Sequence, residues 1–293
     1  MKLTIDRSAF LRPLGHVQSV VERRNTIPIL ANVLLKARNG KVQLTATDMD
    51  MDILESVPCN ILQEGSLTVP AHTLYDIIRK LPEGAEVSLE ADGENNRVLV
   101  LAGRSKFTLP FLPADEFPIM SDEELPCRFS LGIDDSKALI DKTRFAISNE
   151  ETRYYLNGIF FHASKTSDVP MLRAVATDGH RLARVEVPLP EGAKEMPNII
   201  IPRKAITEVR KLIDDWSDDI DISLSETKIC FSIGDIILST KLIDGTFPDY
   251  ERVIPSGNDK NMRVNCNDLS EAVDRVSTIS TEKSRAIKLH LSN

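Results

Sequence analysis

The sequence predicts an α+β fold in which antiparallel sheets carry their helices on one face. Segments with alternating apolar residues outnumber helical segments, and consecutive strands lie close enough in sequence to form hairpins. The pattern also repeats. Ala46-Thr47-Asp48 returns as Ala176-Thr177-Asp178, and Phe117-Pro118 returns as Phe247-Pro248, so a unit of about 130 residues is duplicated.

The repeat divides the chain into two whole units and the beginning of a third. We predict domains at residues 1–122, 127–255 and 260–293, with joins where proline, glycine and acidic residues interrupt the apolar pattern. The third unit repeats only a first helix, at 267–279, and the start of a strand, at 286–291. We therefore expect the third domain to be incomplete in this chain.

Each whole unit contains two predicted helices. Apolar residues recur at helical spacing in 8–21 and 135–147, the first helices, and in 70–80 and 202–211, the second helices. Pro13 falls beyond the first turn of its helix, so it should remove one backbone hydrogen bond and bend the helix.

The remaining segments of each unit are predicted strands. Apolar and polar residues alternate at 41–46, 86–90 and 219–224. Turn residues separate the strands, as at Asn39-Gly40 and Ser225-Glu226. Antiparallel hairpins follow from these short connections.

The helices and the remainder of the chain differ in charge. The net charge is -8, yet the helix segments 6–24, 70–80, 134–148 and 202–211 contain 13 basic and 7 acidic residues. If these helices share one surface, that surface is basic and the outer sheets are acidic, so phosphate is attracted only to the helices. Ordinary solvated helix faces are the alternative explanation. Aromatic residues make up only 5% and form no stripe, which favours contact with the phosphate backbone over base stacking.

The cysteines and the N-terminal segment indicate the cellular compartment of the protein. The four cysteines are far apart and form no C-x-x-C pair, so neither a zinc site nor a disulfide framework is predicted. No apolar signal sequence begins the chain, and no apolar run is long enough to span a bilayer. We expect a soluble, cytoplasmic protein without a membrane partner.

No catalytic or nucleotide-binding motif is present, so we predict no enzymatic activity, no cofactor and no metal. Two alternatives remain. A metal-dependent hydrolase would use Asp48, Asp50 or Asp178 with His180, although no nucleophile is placed beside them. A repeat scaffold that binds proteins and never DNA is the other.

Three motifs together resemble one family. YYLNG at 154–158, ATDGHRLA at 176–183 and DGTFPDY at 244–250 are similar to the bacterial DNA polymerase III beta subunit, the replication sliding clamp. TIPIL at 26–30 and LPEGAE at 81–86 extend the resemblance, which preserves order and spacing from the first residue to the last.

The resemblance implies a processivity factor: a head-to-tail ring of two chains, three similar domains in each, that encircles duplex DNA without sequence specificity. Its partners would be the replicative polymerase, the clamp loader and repair factors, bound through short peptides. The DNA-facing residues that it implies are Arg24, Arg79, Tyr154, Arg203 and Lys204. The implied peptide cleft consists of Leu156, Thr177, Gly179, His180, Arg181, Leu182, Pro248, Arg252 and Val253. The implied dimer interface consists of Arg104, Lys106, Phe107, Leu109 and Ile279. Because the third domain is incomplete, we expect that this chain does not form the normal closed ring.

Overall fold

The computed structural model describes residues 1–93, 95–120, 124–164, 169–280 and 287–290. The chain forms two compact units, Met1–Phe247 and Pro248–Asn293. In the described ranges, no helix is both long enough and apolar enough to cross a membrane.

The first repeat contains nine strands and two α-helices in its described residues. Asp6 caps the first helix, because its Oδ1 accepts hydrogen bonds from the N–H groups of Ser8 (2.7 Å) and Ala9 (3.1 Å). Pro13 lies inside that helix, which continues past it. The elements are β1 Lys2–Asp6, α1 Arg7–Val20, β2 Asn32–Arg38, β3 Lys41–Thr47, β4 Met51–Pro58, β5 Asn60–Gln63, β6 Gly65–Pro70, α2 Ala71–Lys80, β7 Glu86–Asp92, β8 Arg97–Ala102 and β9 Ser105–Pro110.

The second repeat follows the same plan. Short 3₁₀ helices at Arg144–Ala146 and Glu151–Leu156 connect its first helix to the next strand. Its elements are β10 Cys127–Leu131, α3 Ile133–Asp141, β11 Gly158–Ser164, β12 Met171–Thr177, β13 Leu182–Pro188, β14 Ile199–Pro202, α4 Arg203–Leu212, β15 Ile220–Leu224, β16 Lys228–Ile233 and β17 Ile236–Lys241.

The C-terminal unit contains one α-helix in its described part, α5 Cys266–Ser277, with Asn265 as its N-cap. No side chain of α5 is buried. Val276 is 57% exposed, and Ile279, which follows the helix, is 83% exposed. The predicted strand at 286–291 lies partly outside the described residues, and 287–290 form neither helix nor strand.

One predicted helix is too long. The apolar spacing predicts a helix throughout 135–147, but α3 ends at Asp141. The Thr143 hydroxyl donates to the carbonyl oxygens of Leu139 and Ile140. These carbonyl oxygens thus accept a hydrogen bond from a side chain, which competes with the backbone hydrogen bonds that would continue the helix. A separate 3₁₀ turn follows.

The strands of the described residues form three antiparallel sheets. Their orders are β5-β1-β7-β8-β9, β10-β15-β16-β17-β4-β3-β2-β6 and β13-β12-β11-β14. The eight-stranded sheet crosses the join between the repeats, because β17 pairs with β4 in a register that places Leu238 opposite Ile53. The two repeats therefore share a continuous hydrogen-bonded sheet.

Helices cover the apolar faces of these sheets. Phe10 and Leu14 of α1, Leu74 of α2 and Leu139 of α3 are fully buried in one extended core. On β2 the outward side chains Lys36 and Arg38 are exposed, as expected for antiparallel sheets with one face against helices. The α+β class is as predicted.

Candidate functional site

The helices of the two repeats meet on one surface. Within the repeats α1 packs against α2 and α3 against α4, and α1 also contacts α4 across the join. At that contact the Ser19 hydroxyl donates to Glu208 Oε2 (2.6 Å). Glu208 is buried, and Lys211 donates to its other oxygen (2.8 Å). The carboxylate is thus satisfied from both repeats, and the helices form one continuous face, which we call the helical surface.

Many cations of the helical surface are already paired. Arg210 donates to Asp141 (2.9 Å) and to Asp214 (2.9 Å). These two hydrogen bonds raise the pKa of the Arg210 guanidinium above its ordinary value, the bond to Asp214 contributing most. Arg79 pairs with Asp76 (3.1 Å). Such pairs lower the positive charge available to a ligand.

Other cations on or beside these helices remain available. They are exposed, and no described carboxylate lies within ion-pair distance of them: Arg12, Arg23, Arg24, Lys80 and Lys142. Of these five, the sequence resemblance implies only Arg24. They differ from the other basic residues of these helices because they are both exposed and without an ion-pair partner among the described residues. Neither property can be predicted from composition.

Three of the predicted DNA-facing residues are close together. Tyr154, Arg203 and Lys204 line one open depression of about 560 Å³. Tyr154 is 53% exposed. Arg203 is half-buried and donates to the carbonyl oxygen of Ile147 (2.8 Å). Arg24, another of the predicted DNA-facing residues, is exposed and follows the end of α1.

Lys204 also connects the repeats. Its ammonium donates to Glu22 Oε1 (2.6 Å), to Asp48 Oδ2 (2.5 Å) and to the carbonyl oxygen of Val20 (3.2 Å). Burial opposes the charge, but the hydrogen bonds to Asp48 and Glu22 outweigh it, so the pKa of Lys204 lies above its ordinary value.

The Thr-Asp turn occurs twice with the same hydrogen bonds. In the first repeat, Thr47 Oγ1 accepts from the N–H of Met49 (3.0 Å), and Asp48 Oδ1 accepts from Asp50 (3.0 Å) and Met51 (2.8 Å). The residue after the aspartate has positive φ, since Met49 has φ 79°.

The second copy of this turn belongs to the predicted peptide cleft. Thr177 Oγ1 accepts from Gly179 N–H (3.1 Å), and Asp178 Oδ1 accepts from His180 and Arg181 (3.0 Å each). Burial raises the pKa of Asp178, but the two backbone hydrogen bonds outweigh it and hold that pKa below its ordinary value. The turn exposes Gly179, His180 and Arg181 to solvent.

An arginine that was not predicted supports this turn. Arg153 binds both carboxylate oxygens of Glu150 (2.7 Å each) and donates to the carbonyl oxygen of Asp178 (3.1 Å). The hydrogen bond to Glu150 raises the pKa of Arg153. A Cβ at Gly179 would lie only 2.6 Å from Arg153 Nη1. A Cβ at this position would therefore require the Arg153 side chain to move, and no short sequence pattern reveals this close approach.

The other predicted cleft residues divide between the units. Leu156 is 3% exposed and Leu182 is half-buried beside the turn. Pro248, Arg252 and Val253 belong to the C-terminal unit, where Arg252 pairs with Asp249 (2.7 Å) and is 84% exposed.

Three of the five predicted dimer residues, Lys106, Phe107 and Leu109, lie on the edge strand β9, and Arg104 lies in the turn before it. β9 is the last strand of its sheet. Phe107 on β9 is 37% exposed and Leu109 is buried, while Arg104 and Lys106 are exposed. Ile279, the fifth residue, belongs to the C-terminal unit.

The residues of the hydrolase alternative do not assemble. Asp48 and Asp178 use one carboxylate oxygen each to bind backbone N–H groups of their turns. In the part of the chain that the structure describes, no group of three or more His, Cys, Asp or Glu side chains could hold a metal ion.

Comparison with known proteins gives consistent matches. Residues 1–121 match the family model for the DNA polymerase III beta subunit, N-terminal domain, and residues 131–249 match its central domain. The beta sliding clamp of Caulobacter vibrioides is 53% identical over 289 residues, which cover 99% of this chain and 78% of that protein. The beta sliding clamp of Escherichia coli is 39% identical, covering 100% of this chain and 78% of that protein.

Solved structures agree in fold. A beta sliding clamp of C. crescentus, crystallised with PEG, superimposes with a TM-score of 0.94 at 53% identity, covering 97% of this chain and 76% of that one. A sliding clamp of Bartonella birtlesii bound to griselimycin gives a TM-score of 0.93, with the same identity and coverage.

Proposed function

Because the chain belongs to the DNA polymerase III beta subunit family, the bacterial beta sliding clamps, we propose the following function for it and the following roles for its residues. It is a DNA polymerase processivity factor that encircles duplex DNA and tethers its partners. We assign it no catalytic activity of its own, a cytoplasmic location and, when full length, a head-to-tail homodimer placed on DNA by a clamp loader.

The helical surface faces DNA in this proposal. The observation that carries it is the set of unpaired, exposed cations on or beside helices of both repeats. Arg24, Arg79, Tyr154, Arg203 and Lys204 are the residues assigned from the family resemblance. We add Arg12, Arg23, Lys80 and Lys142 because their charges are exposed and uncompensated. Contacts of this kind attract phosphate without reading bases, which suits sliding.

Charge reversal tests the helical surface. Arg24→Glu combined with Lys80→Glu should weaken binding of a duplex of about 30 base pairs equally for unrelated sequences, and should reduce the salt dependence by about one unit for each phosphate that is no longer neutralised. Lys36→Glu with Arg38→Glu is the matched control, because these exposed cations lie on the outer face of β2. Equal weakening by both pairs, measured by fluorescence anisotropy, would contradict the assignment.

Partner peptides bind at the Thr177–Leu182 turn in this proposal. The turn is held rigidly by its own hydrogen bonds, yet it exposes backbone and a half-buried Leu182. Rigid backbone beside an apolar side chain suits an extended peptide with an apolar anchor. A relative crystallised with PEG at its beta-motif tethering region supports a ligand site in this family. The assigned residues are Leu156, Thr177, Gly179, His180, Arg181, Leu182, Pro248, Arg252 and Val253.

Peptide titration tests this cleft. A fluorescent peptide ending in Leu-Phe should bind the protein saturably, and Leu182→Asp should abolish binding because a charge replaces the apolar surface that receives the anchor. Leu62→Asp is the control, since Leu62 is 61% exposed on β5. Unchanged affinity in Leu182→Asp would contradict the cleft.

Edge strand β9 forms one side of the dimer interface in this proposal. β17 occupies the corresponding position in the second repeat, and it pairs with β4 across the join. An exposed strand edge in the same position of the first repeat is suited to pair with another chain. The assigned residues are Arg104, Lys106, Phe107 and Leu109, with Ile279 on the opposing side.

A further inference from the structure

A cavity of about 670 Å³ lies at the join of the first and second repeats, outside both the helical surface and the peptide cleft. Residues from both repeats line it, with Met49, Ile119 and Met120 on one side and Ile200 and Leu242 on the other. The volume falls within the usual range of ligand pockets, about 300–1,000 Å³. We call it the join cavity.

The join cavity is built from the same repeat positions as the proposed peptide cleft. Thr47 and Pro118 line the cavity. The residues at the equivalent positions of the next repeat, about 130 residues later, are Thr177 and Pro248, which belong to the proposed cleft. Met49 occupies the place of Gly179, with nearly the same backbone angle: φ is 79° at Met49 and 86° at Gly179. The Thr-Asp turn beside each site makes the same hydrogen bonds.

The surface of the join cavity favours an uncharged, apolar ligand. Met49 is 45% exposed and Ile119 is 74% exposed, so two large apolar side chains meet solvent at its opening. Among the described lining residues the charges balance, with two bases and two acids: Lys228, Lys241, Glu226 and Asp244. A balanced rim gives no net attraction to DNA phosphate or to a strongly charged peptide. It complements a neutral segment with an apolar side chain.

We propose that the join cavity is a second docking site for a short linear partner peptide with an apolar anchor side chain. The inference rests on the proposed function of the cleft, from which the peptide class is taken. The side chain of Met49 narrows the opening relative to Gly179, so the second site binds more weakly than the cleft. Binding there depends little on salt, because the rim is balanced in charge.

Methionine methyl signals test this site directly, since Met49 and Met120 both line the cavity. The probe is the neutral peptide Ser-Gln-Ser-Leu-Phe, acetylated at its N-terminus and amidated at its C-terminus, titrated into protein labelled with ¹³C at methionine methyl groups. The His180 ring signal reports the cleft in the same titration. We expect His180 to shift first, and the Met49 and Met120 methyls to shift at higher peptide concentration.

Two variants separate the sites. Ile119→Ser should weaken the Met120 response about tenfold or more, because it removes one large apolar side chain from the opening, and should leave the His180 response unchanged. Leu182→Ser should do the reverse. Leu62→Ser, at an exposed leucine outside both sites, is the control and should change neither.

The outcomes distinguish the two proposals. A shift of His180 alone, or methionine shifts that disappear in Leu182→Ser, overturns the join cavity and leaves the cleft in place. Methionine shifts alone overturn the cleft. No response from either reporter overturns both.

Discussion

The ammonium of Lys204, in the first turn of α4, lies 2.5 Å from Asp48 Oδ2, although the two residues are far apart in sequence and belong to different repeats. Asp48 uses its other carboxylate oxygen to hold the first Thr-Asp turn. The same aspartate therefore organises a loop of the first repeat and receives a helix of the second. Lys204 thus has a role in joining the repeats besides its proposed position facing DNA.

Removing this charge should loosen the join. Lys204→Met leaves Asp48, whose side chain is only 12% exposed, without its cation. We expect a decrease of about 1–2 kcal/mol in the free energy of unfolding, after allowing for solvent screening. Urea denaturation measures it. Lys41→Met is the matched control, because Lys41 pairs with Asp235 at 3.6 Å on the exposed surface; an equal decrease there would contradict a special role for Lys204.

Replacing Gly179 by alanine should lower the stability of the protein for two separable reasons. Gly179→Ala places a Cβ at positive φ, which costs about 1 kcal/mol, and also displaces Arg153 from Asp178. Gly84→Ala, at φ 72° with open space around it, isolates the first cost. Thermal unfolding should show a larger destabilisation for Gly179→Ala. Equal destabilisation would mean that Arg153 does not support the turn.

Stability should depend on pH through Asp52. Burial raises the pKa of this carboxyl above its ordinary value of 3.8, despite hydrogen bonds from Thr47 and from the N–H of Met120. A raised pKa means that the folded state holds the proton more tightly, so the ionised carboxylate destabilises the fold above the folded pKa. That cost disappears as the pH falls below 3.8.

Asp52→Asn should therefore raise the free energy of unfolding at pH 7, and the increase should shrink as the pH approaches 3.8. Urea denaturation across this range measures the difference. Asp235→Asn, at an exposed carboxylate, is the control. An increase that is constant with pH would point to a cause other than ionisation.

Self-association should depend on β9. In the full-length protein, Phe107→Asp places a charge on the exposed edge strand and should weaken dimerisation about tenfold or more. Leu62→Asp changes β5, the opposite edge of the same sheet, and should have little effect. Sedimentation equilibrium of both variants provides the comparison. Equal weakening would indicate that β9 has no special place in the interface.

Local patterns predict the helices well and long-range contacts poorly. The amphipathic faces of α1, α2 and α4 are local properties, and their bounds agree with prediction within a few residues. The early end of α3 depends on how the Thr143 hydroxyl bonds, which spacing does not reveal.

The sequence predicts which residues form the turns of the site, but not the long-range contacts that hold these turns. The Thr-Asp repeat marks both turns, because the same residues recur at a constant interval. Arg153 and the Lys204–Asp48 contact have no local signature, since each depends on residues brought together by folding. The pairing of β17 with β4 is likewise a long-range contact, and it creates both the shared sheet and the setting of the join cavity.

Retention on circular DNA tests the clamp function most directly. The full-length protein is loaded onto a nicked circular plasmid with clamp loader and ATP, isolated by gel filtration at moderate salt, and followed after the circle is cut once. Because weak phosphate contacts alone cannot hold a protein on DNA at that salt, we predict that it elutes with the intact circle and dissociates on linearisation. Equal retention on circular and linear DNA would contradict a clamp that holds DNA by encircling it.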